Sequence, residues 1–558
     1  MVRRVINLMY REVRGLHQAA YILALFAIGS QLLAIVRDRL LAYMFGAGPE
    51  LDLYYAAFRI PDLLFVLFAS VLSVYVLLPF VNRFTEEQGI EAGKQVLSQM
   101  FTLFLVVFSV IALLLIVVAP YLVPVLFPGF SDQADTLVLL IRLLLAQVFF
   151  LGLSSLCGVV TQISHRFVLY AVSPLLYNLS IIAGILFLYP WFGLPGLITG
   201  VVLGAFGHLA IQVPYVLKSQ YRFSLHFSFD WKLITAIFAV AIPRALTLSV
   251  NQVVLLILIG IASTMTAGSV SVFQFAFNLQ SVPLAIIGMS YSVAAFPTLS
   301  TLLAKNDFTG FNHQLVTALR HIIFWSVPII VLIIVLRAQI VRVLLGTGSF
   351  DWADTRLTAA MLAVFVISLV AQCALLHLIR AFYAGGRVLL PLLVSVFSAA
   401  ISIGAAWWFR FEYFKHAEFQ IFIQNLFRLE AVAGTEVLVL GGAFVLGQLL
   451  QLILLLMCSK IVFRVSYRPL WRLCIHSFLA GMVGGISAYA TLLFVVDGVN
   501  QNTFVGISLQ GVVAGLMGVV GVLLTYRILN APELFEIYRS FHSKIFKTDI
   551  VAPQPDTL

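Results

Sequence analysis

The chain has 558 residues, of which 62% are hydrophobic and only 10% are charged. Soluble domains contain about 25% charged residues, so this composition excludes an ordinary soluble fold and places most of the chain in lipid. The formal net charge of +10 does not indicate nucleic-acid binding, because the basic residues are spread over many short polar segments.

Apolar runs of 18 or more residues recur from Tyr21 to Tyr526, each long enough for the roughly 20 residues that cross a bilayer. Helices satisfy every backbone group within lipid, whereas an open sheet does not. The sequence therefore predicts an all-α polytopic membrane protein with about fourteen transmembrane helices. Their predicted ranges are 18–43, 53–80, 97–126, 136–160, 167–189, 193–217, 233–262, 269–303, 314–336, 356–382, 388–409, 434–460, 470–496 and 503–527.

Basic residues concentrate in alternate loops. They are frequent in the N-terminal segment 1–17, in the linker 218–232 and in the tail 531–558, whereas the loops around Gly48 and Pro128 hold almost none. The positive-inside rule therefore predicts that both termini are cytoplasmic. The first apolar run is long and lacks a cleavage site, so we expect it to remain as helix 1. The cysteines have no metal-like spacing and are interpreted as buried small hydrophobes.

An internal repeat divides the chain. Residues 129–136 (GFSDQADT) recur as residues 348–355 (GSFDWADT), with an offset of 219 residues and five of eight positions identical. This repeat predicts two six-helix lobes, 18–217 and 233–460, followed by helices 13 and 14 within 461–530. The copies would run parallel, related by an axis along the membrane normal.

Two further segments are mainly polar or amphipathic. Residues 410–431 mix charged with aromatic side chains, which suits either a short amphipathic helix at the outer interface or an ordered loop. The tail 531–558 is polar and is expected to end in disorder.

Charges inside helices are costly and point to function. Helix 1 contains Arg37 and Asp38, and helix 2 contains Asp52, Arg59 and Asp62. Arg59 and Asp62 share a helix face. These residues form either a polar patch between the lobes or a structural cluster of ion pairs.

Helix 7 contains Arg244 about halfway across, with no acidic residue in the helix interior. A guanidinium group binds a phosphate or pyrophosphate bidentately, so Arg244 is the leading candidate for substrate contact. The alternatives are snorkelling towards the interface or pairing with Asp62. Four amide side chains either line the same site or only connect neighbouring helices: Asn251, Gln252, Gln274 and Asn278.

These motifs resemble those of the MurJ/MviN lipid II flippases, a family of the multidrug/oligosaccharidyl-lipid/polysaccharide exporter superfamily. The similar segments include Arg37-Asp38, Phe45-Gly46-Ala47-Gly48, Arg59-Ile60-Pro61-Asp62, Gly348-Ser349-Phe350-Asp351 and Arg380-Ala381-Phe382-Tyr383. Where that family carries arginine, this chain has Gln31, Phe65, Val66 and Asn278.

The resemblance implies a transporter of the bacterial inner membrane and no enzyme activity. It would move undecaprenyl-pyrophosphate carrying a peptidoglycan precursor by alternating access, with a groove between helices 13 and 14 for the prenyl tail and no cofactor. Three alternatives stay open: a flippase for another lipid-linked glycan, a multidrug exporter of the same superfamily, and a non-transporting scaffold that contacts cell-wall synthesis proteins.

Overall fold

The computed structural model describes residues 16–430, 432–495 and 503–545, and every regular element in that part of the chain is helical. This confirms the predicted all-α class. In chain order the helices are α1 (Leu16–Phe45), α2 (Pro49–Ala57), α3 (Arg59–Val71), α4 (Val74–Gln88), α5 (Ile90–Leu126), α6 (Ala134–Ile163), α7 (Phe167–Ala183), α8 (Tyr189–Ala210), α9 (Val213–Lys218), α10 (Trp231–Ala262), α11 (Ser269–Pro283), α12 (Ser290–Ala304), α13 (Phe308–Leu344), α14 (Trp352–Ile367), α15 (Leu369–Ala384), α16 (Leu389–Lys415), α17 (Ala417–Phe427), α18 (Val437–Val462), α19 (Arg468–Val495), α20 (Phe504–Ile528) and α21 (Pro532–Ile545).

Eleven helical stretches of the described residues are long and apolar enough to cross a membrane, or twelve if the bent pair α14 and α15 is one span. One stretch, Phe167–Lys218, is 52 residues long. Helix α1 adds a further candidate, because its 30 residues extend about 45 Å at 1.5 Å per residue.

The 52-residue stretch doubles back on itself. Gly193 has a φ of +61°, which glycine adopts without strain. A Cβ atom at Gly200 would touch Gly184, and one at Gly204 would touch Tyr177, so α7 and α8 pack in opposite directions. This stretch therefore supplies two crossings, and together with α1 the described residues hold the fourteen that the sequence predicts.

Predicted helix 2 is divided into α2, α3 and α4, with breaks at Phe58 and at Leu72–Ser73. Pro61 lies in the first turn of α3, where a helix needs no backbone donor. The missing N–H of proline therefore helps to explain why the break falls before Arg59 and not in the middle of a longer helix.

The chain folds into two compact units. The first comprises the described residues up to Phe275, with Leu344–Thr358 and Val388–Phe444. The second comprises Ala276–Val343, Ala359–Arg387 and the described residues from Val445 onward. Proximity defines these units, whereas sequence repetition defines the predicted lobes, so the lobe boundaries at 217 and 233 stay a prediction.

An apolar core in the first unit holds α3, α4, α5, α6 and α10 together. Its aromatic centre is formed by Phe68, Phe104, Phe108 and Phe149, whose ring centroids lie 5.4–6.2 Å apart. Edge-to-face pairs within it add about 0.5–1.5 kcal/mol each beyond burial. This packing fixes α3 and α10, which carry Arg59, Asp62 and Arg244.

In the second unit, α19 and α20 pack closely through glycine. A Cβ atom at Gly484 would lie 2.8 Å from the carbonyl oxygen of Gly518. The end of α20 is fixed to α13 and α19, because the Tyr526 hydroxyl donates to the Phe324 carbonyl at 2.7 Å and accepts from the Ser477 hydroxyl at 2.9 Å.

Helix α21 then binds α13 through an ion pair. The Arg320 guanidinium donates twice to Glu533 Oε1, at 2.8 and 2.5 Å. Thus the first part of the predicted tail 531–558 is helical up to Ile545, and the rest lies outside the described residues, as does most of the segment 1–17.

The segment 410–431 is divided at His416. Residues up to Lys415 continue α16, and Ala417–Phe427 form α17, which has no buried residue. Arg410 lies over the rings of Trp407 and Phe414, at 5.8 and 5.7 Å. Such aromatic and cationic pairs are typical of a membrane interface.

Candidate functional site

The Asp52 carboxylate caps the first turn of α11. Its Oδ2 accepts from the Gly268 amide at 2.6 Å, and its Oδ1 accepts from the amide and the hydroxyl of Ser271 at 2.7 and 2.6 Å. Only 3% of Asp52 is exposed. A buried carboxylate at a helix N-terminus interacts favourably with the helix dipole, so these contacts describe a structural role for Asp52.

Asp52 and Ser271 are separated by the repeat offset of 219 residues. Two other contacts involve the repeated segments themselves. The Gly129 amide donates to Ser263, and the Ser349 hydroxyl, one residue after the repeat equivalent of Gly129, donates to the Met44 carbonyl at 3.3 Å. Residue 44 is the equivalent of residue 263. These contacts join segments that the repeat relates, and the arrangement of two parallel lobes stays a prediction.

Arg37 lies at the contact between α1 and α7. Its guanidinium pairs with Asp38 at 2.8 Å and donates to Asn178 Oδ1 at 3.1 Å. Asn178 in turn donates to Ser30 at 3.2 Å and to the Pro174 carbonyl at 3.1 Å. The orientation of Arg37 is therefore set by three side chains, of which sequence analysis had identified only Asp38.

Arg59 is 7% exposed and donates to Gln274 Oε1 at 2.7 Å and to the Tyr55 carbonyl at 3.2 Å. Asp62 lies one turn later on α3 and is half-buried. In the described part of the chain, Asp62 makes no ion pair with Arg59 or with Arg244. The structure thus brings Arg59 and Gln274 together, and it leaves the Asp62 carboxylate open to other groups.

Arg244 occupies a separate position. Its guanidinium lies over the ring of Tyr75, 5.2 Å from the centroid, and makes no ion pair or hydrogen bond with another described residue. Tyr75 lies in the first turn of α4, whereas Asp62 lies in the first turn of α3. Arg244 is half-buried, so part of its guanidinium group can reach a ligand.

The amide residues are more dispersed. Asn251 and Gln252 are half-buried on α10, two turns beyond Arg244. The half-buried Asn278 belongs to the second unit, where its carbonyl oxygen accepts from the Ser281 hydroxyl at 2.6 Å. Among the predicted amides, Gln274 is joined directly to a predicted charged residue, Arg59.

The formal charge of these positions is small. Three guanidinium groups, Arg37, Arg59 and Arg244, stand against the carboxylates of Asp38, Asp52 and Asp62, which leaves no net charge. Arg37 and Asp38 neutralise each other, and Asp52 faces backbone amides. The guanidinium that can attract an anion with least competition is therefore Arg244.

Comparison with known proteins places this geometry in a family. A family model described as "Lipid II flippase MurJ" matches residues 41–421, well over half of the chain. The chain belongs to the MurJ family. It is a multi-pass membrane protein of a flippase family that has a lipid-linked substrate, and it is not an enzyme.

Proteins of similar sequence and proteins of similar structure both include MurJ flippases. The chain is 29% identical to a probable lipid II flippase MurJ from Rhizobium tropici over 390 residues, 67% of this chain and 72% of the relative. Its fold is similar to a lipid II flippase MurJ in an inward closed conformation, with a TM-score of 0.70, 20% identity and coverage of 91% of this chain and 99% of that one. The fold is also similar to an inward-facing multidrug resistance MATE transporter of the MOP superfamily, with a TM-score of 0.65 and 15% identity. That match covers 78% of this chain and 94% of the transporter.

The MurJ match includes Asp52, Arg59, Asp62 and Arg244, whereas Arg37 lies just before it. Helices α18 to α21 also lie outside the matched residues. The shared fold therefore does not by itself assign a role to any of these side chains.

Arg142 makes a contact between helices that was not predicted from the sequence. Its guanidinium on α6 donates to the Ile116 carbonyl on α5 at 3.0 and 2.7 Å. Pro120 lies four residues after Ile116 and cannot supply the usual helical donor, so Arg142 replaces it. The signal in the sequence was a proline within a long apolar run, followed by an arginine in the next one.

Proposed function

We propose that this MurJ-family flippase moves lipid II, a polyprenyl-pyrophosphate carrying a peptidoglycan precursor, across the bacterial inner membrane by alternating access. Both termini would be cytoplasmic, and the substrate would pass from the inner to the outer leaflet. Two observations support this proposal: the chain is similar to relatives that are described as lipid II flippases, and Arg244 places a positive charge within α10.

Arg244 carries the proposal. A charged side chain near the middle of a transmembrane helix is costly, by about 2.5–3.5 kcal/mol on insertion scales, and such residues usually face a pathway. Tyr75 stabilises the guanidinium through its ring but leaves the N–H donors available. Those donors fit a phosphate oxyanion bidentately.

Arg37 and Arg59 would contact the substrate after Arg244 has bound it. Arg37 is already bound to Asp38 and Asn178, and Arg59 to Gln274. An anion can reach either guanidinium only if these bonds are exchanged, so we assign both residues to later steps of the cycle. When the anion leaves, Asp38 and Gln274 would accept these donors again.

The prenyl tail would lie along α19 and α20, whose outward side chains include Ile486, Tyr489, Leu516 and Val520, each at least 45% exposed. Apolar side chains of this kind suit an aliphatic chain as well as bulk lipid. This part of the proposal depends on the family resemblance more than on any polar contact.

Complementation of a bacterium depleted of its own lipid II flippase tests the proposal. We expect the full chain to restore growth, Arg244→Gln to abolish rescue and Arg244→Lys to restore part of it. Arg410→Gln is a matched control, because Arg410 is also half-buried and stacked on aromatic rings. If the wild-type chain is present in the membrane and gives no rescue, the lipid II assignment is wrong.

A second candidate is export of a smaller ligand of the kind that MATE transporters carry. The net charge of zero at the predicted charged positions favours it, since a disubstituted pyrophosphate has two negative charges to neutralise. Binding of lipid II to the purified protein, with a lipophilic cation as competitor, separates the two functions. Displacement by the cation and no dependence on Arg244 would support the exporter.

A further inference from the structure

The linker between α9 and α10, residues 219–230, is extended and is held along α5 by buried polar side chains. The Ser224, His226 and Asp230 amides donate to Ser98 Oγ at 3.2 Å, Thr102 Oγ1 at 2.8 Å and Gln99 Oε1 at 3.0 Å. Ser98, Gln99 and Thr102 are at most 6% exposed. Three polar groups of a transmembrane helix thus serve to fix this linker.

Both ends of the linker are fixed as well. The Phe223 ring packs against Phe101, with centroids 4.9 Å apart. The Asp230 carboxylate caps α10 by accepting from the Lys232 and Leu233 amides at 3.0 and 3.2 Å. The linker is therefore a defined surface, with one edge bonded to α5 and the other edge free.

The free edge is apolar. Leu225 is 59% exposed, Phe227 70% and Trp231 63%. Exposing three such side chains to water would be costly, at about 25 cal/mol for each Å² of apolar surface. Because the linker joins two membrane-crossing stretches, it lies at the bilayer surface, where amphipathic aromatic side chains are stable.

Exposed basic residues flank this apolar edge. Lys218, Arg222 and Lys232 are exposed, against one exposed carboxylate, Asp230. Basic residues beside inserted aromatic ones are typical of segments that bind anionic leaflets. The charge complementarity favours phospholipid headgroups over a second protein as the occupant.

We propose that residues 218–232 form a binding surface for anionic phospholipids. Leu225, Phe227 and Trp231 insert between acyl chains near the headgroups, and Lys218, Arg222 and Lys232 bind headgroup phosphates. Since the linker connects the two predicted lobes, lipid bound here fixes the joint between them to one leaflet. This surface is independent of the transported substrate.

Photo-crosslinking in nanodiscs tests the proposal with the full chain. A photoreactive amino acid replaces Phe227, and a matched one replaces Phe223, whose ring faces α5. In discs of phosphatidylcholine with phosphatidylglycerol, we expect lipid adducts from position 227 and crosslinks within the chain from position 223. Phosphatidylglycerol should be enriched severalfold among the adducts relative to its share of the lipid.

Neutralising the basic residues tests the charge. Each basic residue near an anionic surface contributes about a fivefold effect, so Arg222→Gln should reduce the enrichment measurably and a triple substitution of Lys218, Arg222 and Lys232 should remove it. Wild-type adduct yields in proportion to each lipid's share of the disc would overturn the inference. So would crosslinks from position 227 to a protein, or the same lipid yield from positions 223 and 227.

Discussion

Replacement of Asp52 tests the structural role of its carboxylate. Asp52→Ala removes three hydrogen bonds of 2.6–2.7 Å from a site that is 3% exposed. Each hydrogen bond to a charged group contributes about 1.5–3 kcal/mol, and the bonds are not additive because water and rotation of Ser271 satisfy part of the loss. We expect Asp52→Ala to lower stability by about 2–5 kcal/mol.

Asp52→Asn should have a smaller effect, about 1–3 kcal/mol, because one oxygen remains as an acceptor while the charge is lost. The measurement is the midpoint of thermal unfolding of the full chain in detergent. Glu50→Ala is the control, since Glu50 is exposed and accepts one hydrogen bond, from Tyr189 at 2.7 Å. If Asp52→Ala unfolds at the same temperature as the wild type, or Glu50→Ala lowers it as much, the capping argument is wrong.

Two further substitutions test contacts between helices and loops. Gly129→Ala should lower the yield of folded protein in size-exclusion chromatography, because the new Cβ atom would overlap the Ser263 carbonyl oxygen. Arg142→Met should lower the thermal midpoint by the equivalent of about 1–3 kcal/mol, because the Ile116 carbonyl loses its donor. In a Pro120→Ala background, which restores a backbone N–H, Arg142→Met should lower the thermal midpoint by less.

Controls for these predictions exist in the chain. Gly207→Ala should leave the yield unchanged, because a Cβ atom added at Gly207 would have no neighbouring atom within 4 Å. An equal loss for Gly207→Ala and Gly129→Ala would show that the overlap is not the cause. If Arg142→Met lowers the thermal midpoint equally with and without Pro120, the Arg142 guanidinium does not replace the backbone donor that Pro120 lacks.

The number and class of the helices could be predicted because hydrocarbon imposes one requirement, about 20 apolar residues for each crossing. Their internal breaks could not. The sequence predicted one continuous helix over 53–80, whereas the structure interrupts it at Phe58, three residues before Pro61, and again at Leu72–Ser73. Hydrophobic periodicity cannot distinguish these cases, because both leave the same residues apolar.

The site was predicted less completely, since the face of a helix that meets a particular neighbour depends on the whole packing. Asn178 lies 141 residues from Arg37, and no local pattern connects them. Asp52 was predicted to belong to a substrate site, and the structure gives its oxygens three partners at the start of α11. Ser271 stands 219 residues after Asp52, and no local pattern connects them.

That pairing has a consequence for the history of the chain. If positions 52 and 271 are one position in two copies of an ancestral unit, they faced each other in a symmetric dimer before the copies were joined. Two aspartates there would repel, and two serines would leave the helix end without a charged cap. On that condition, joining the copies would have let one position become the acceptor and the other the donor, an asymmetric pair that two identical positions could not form.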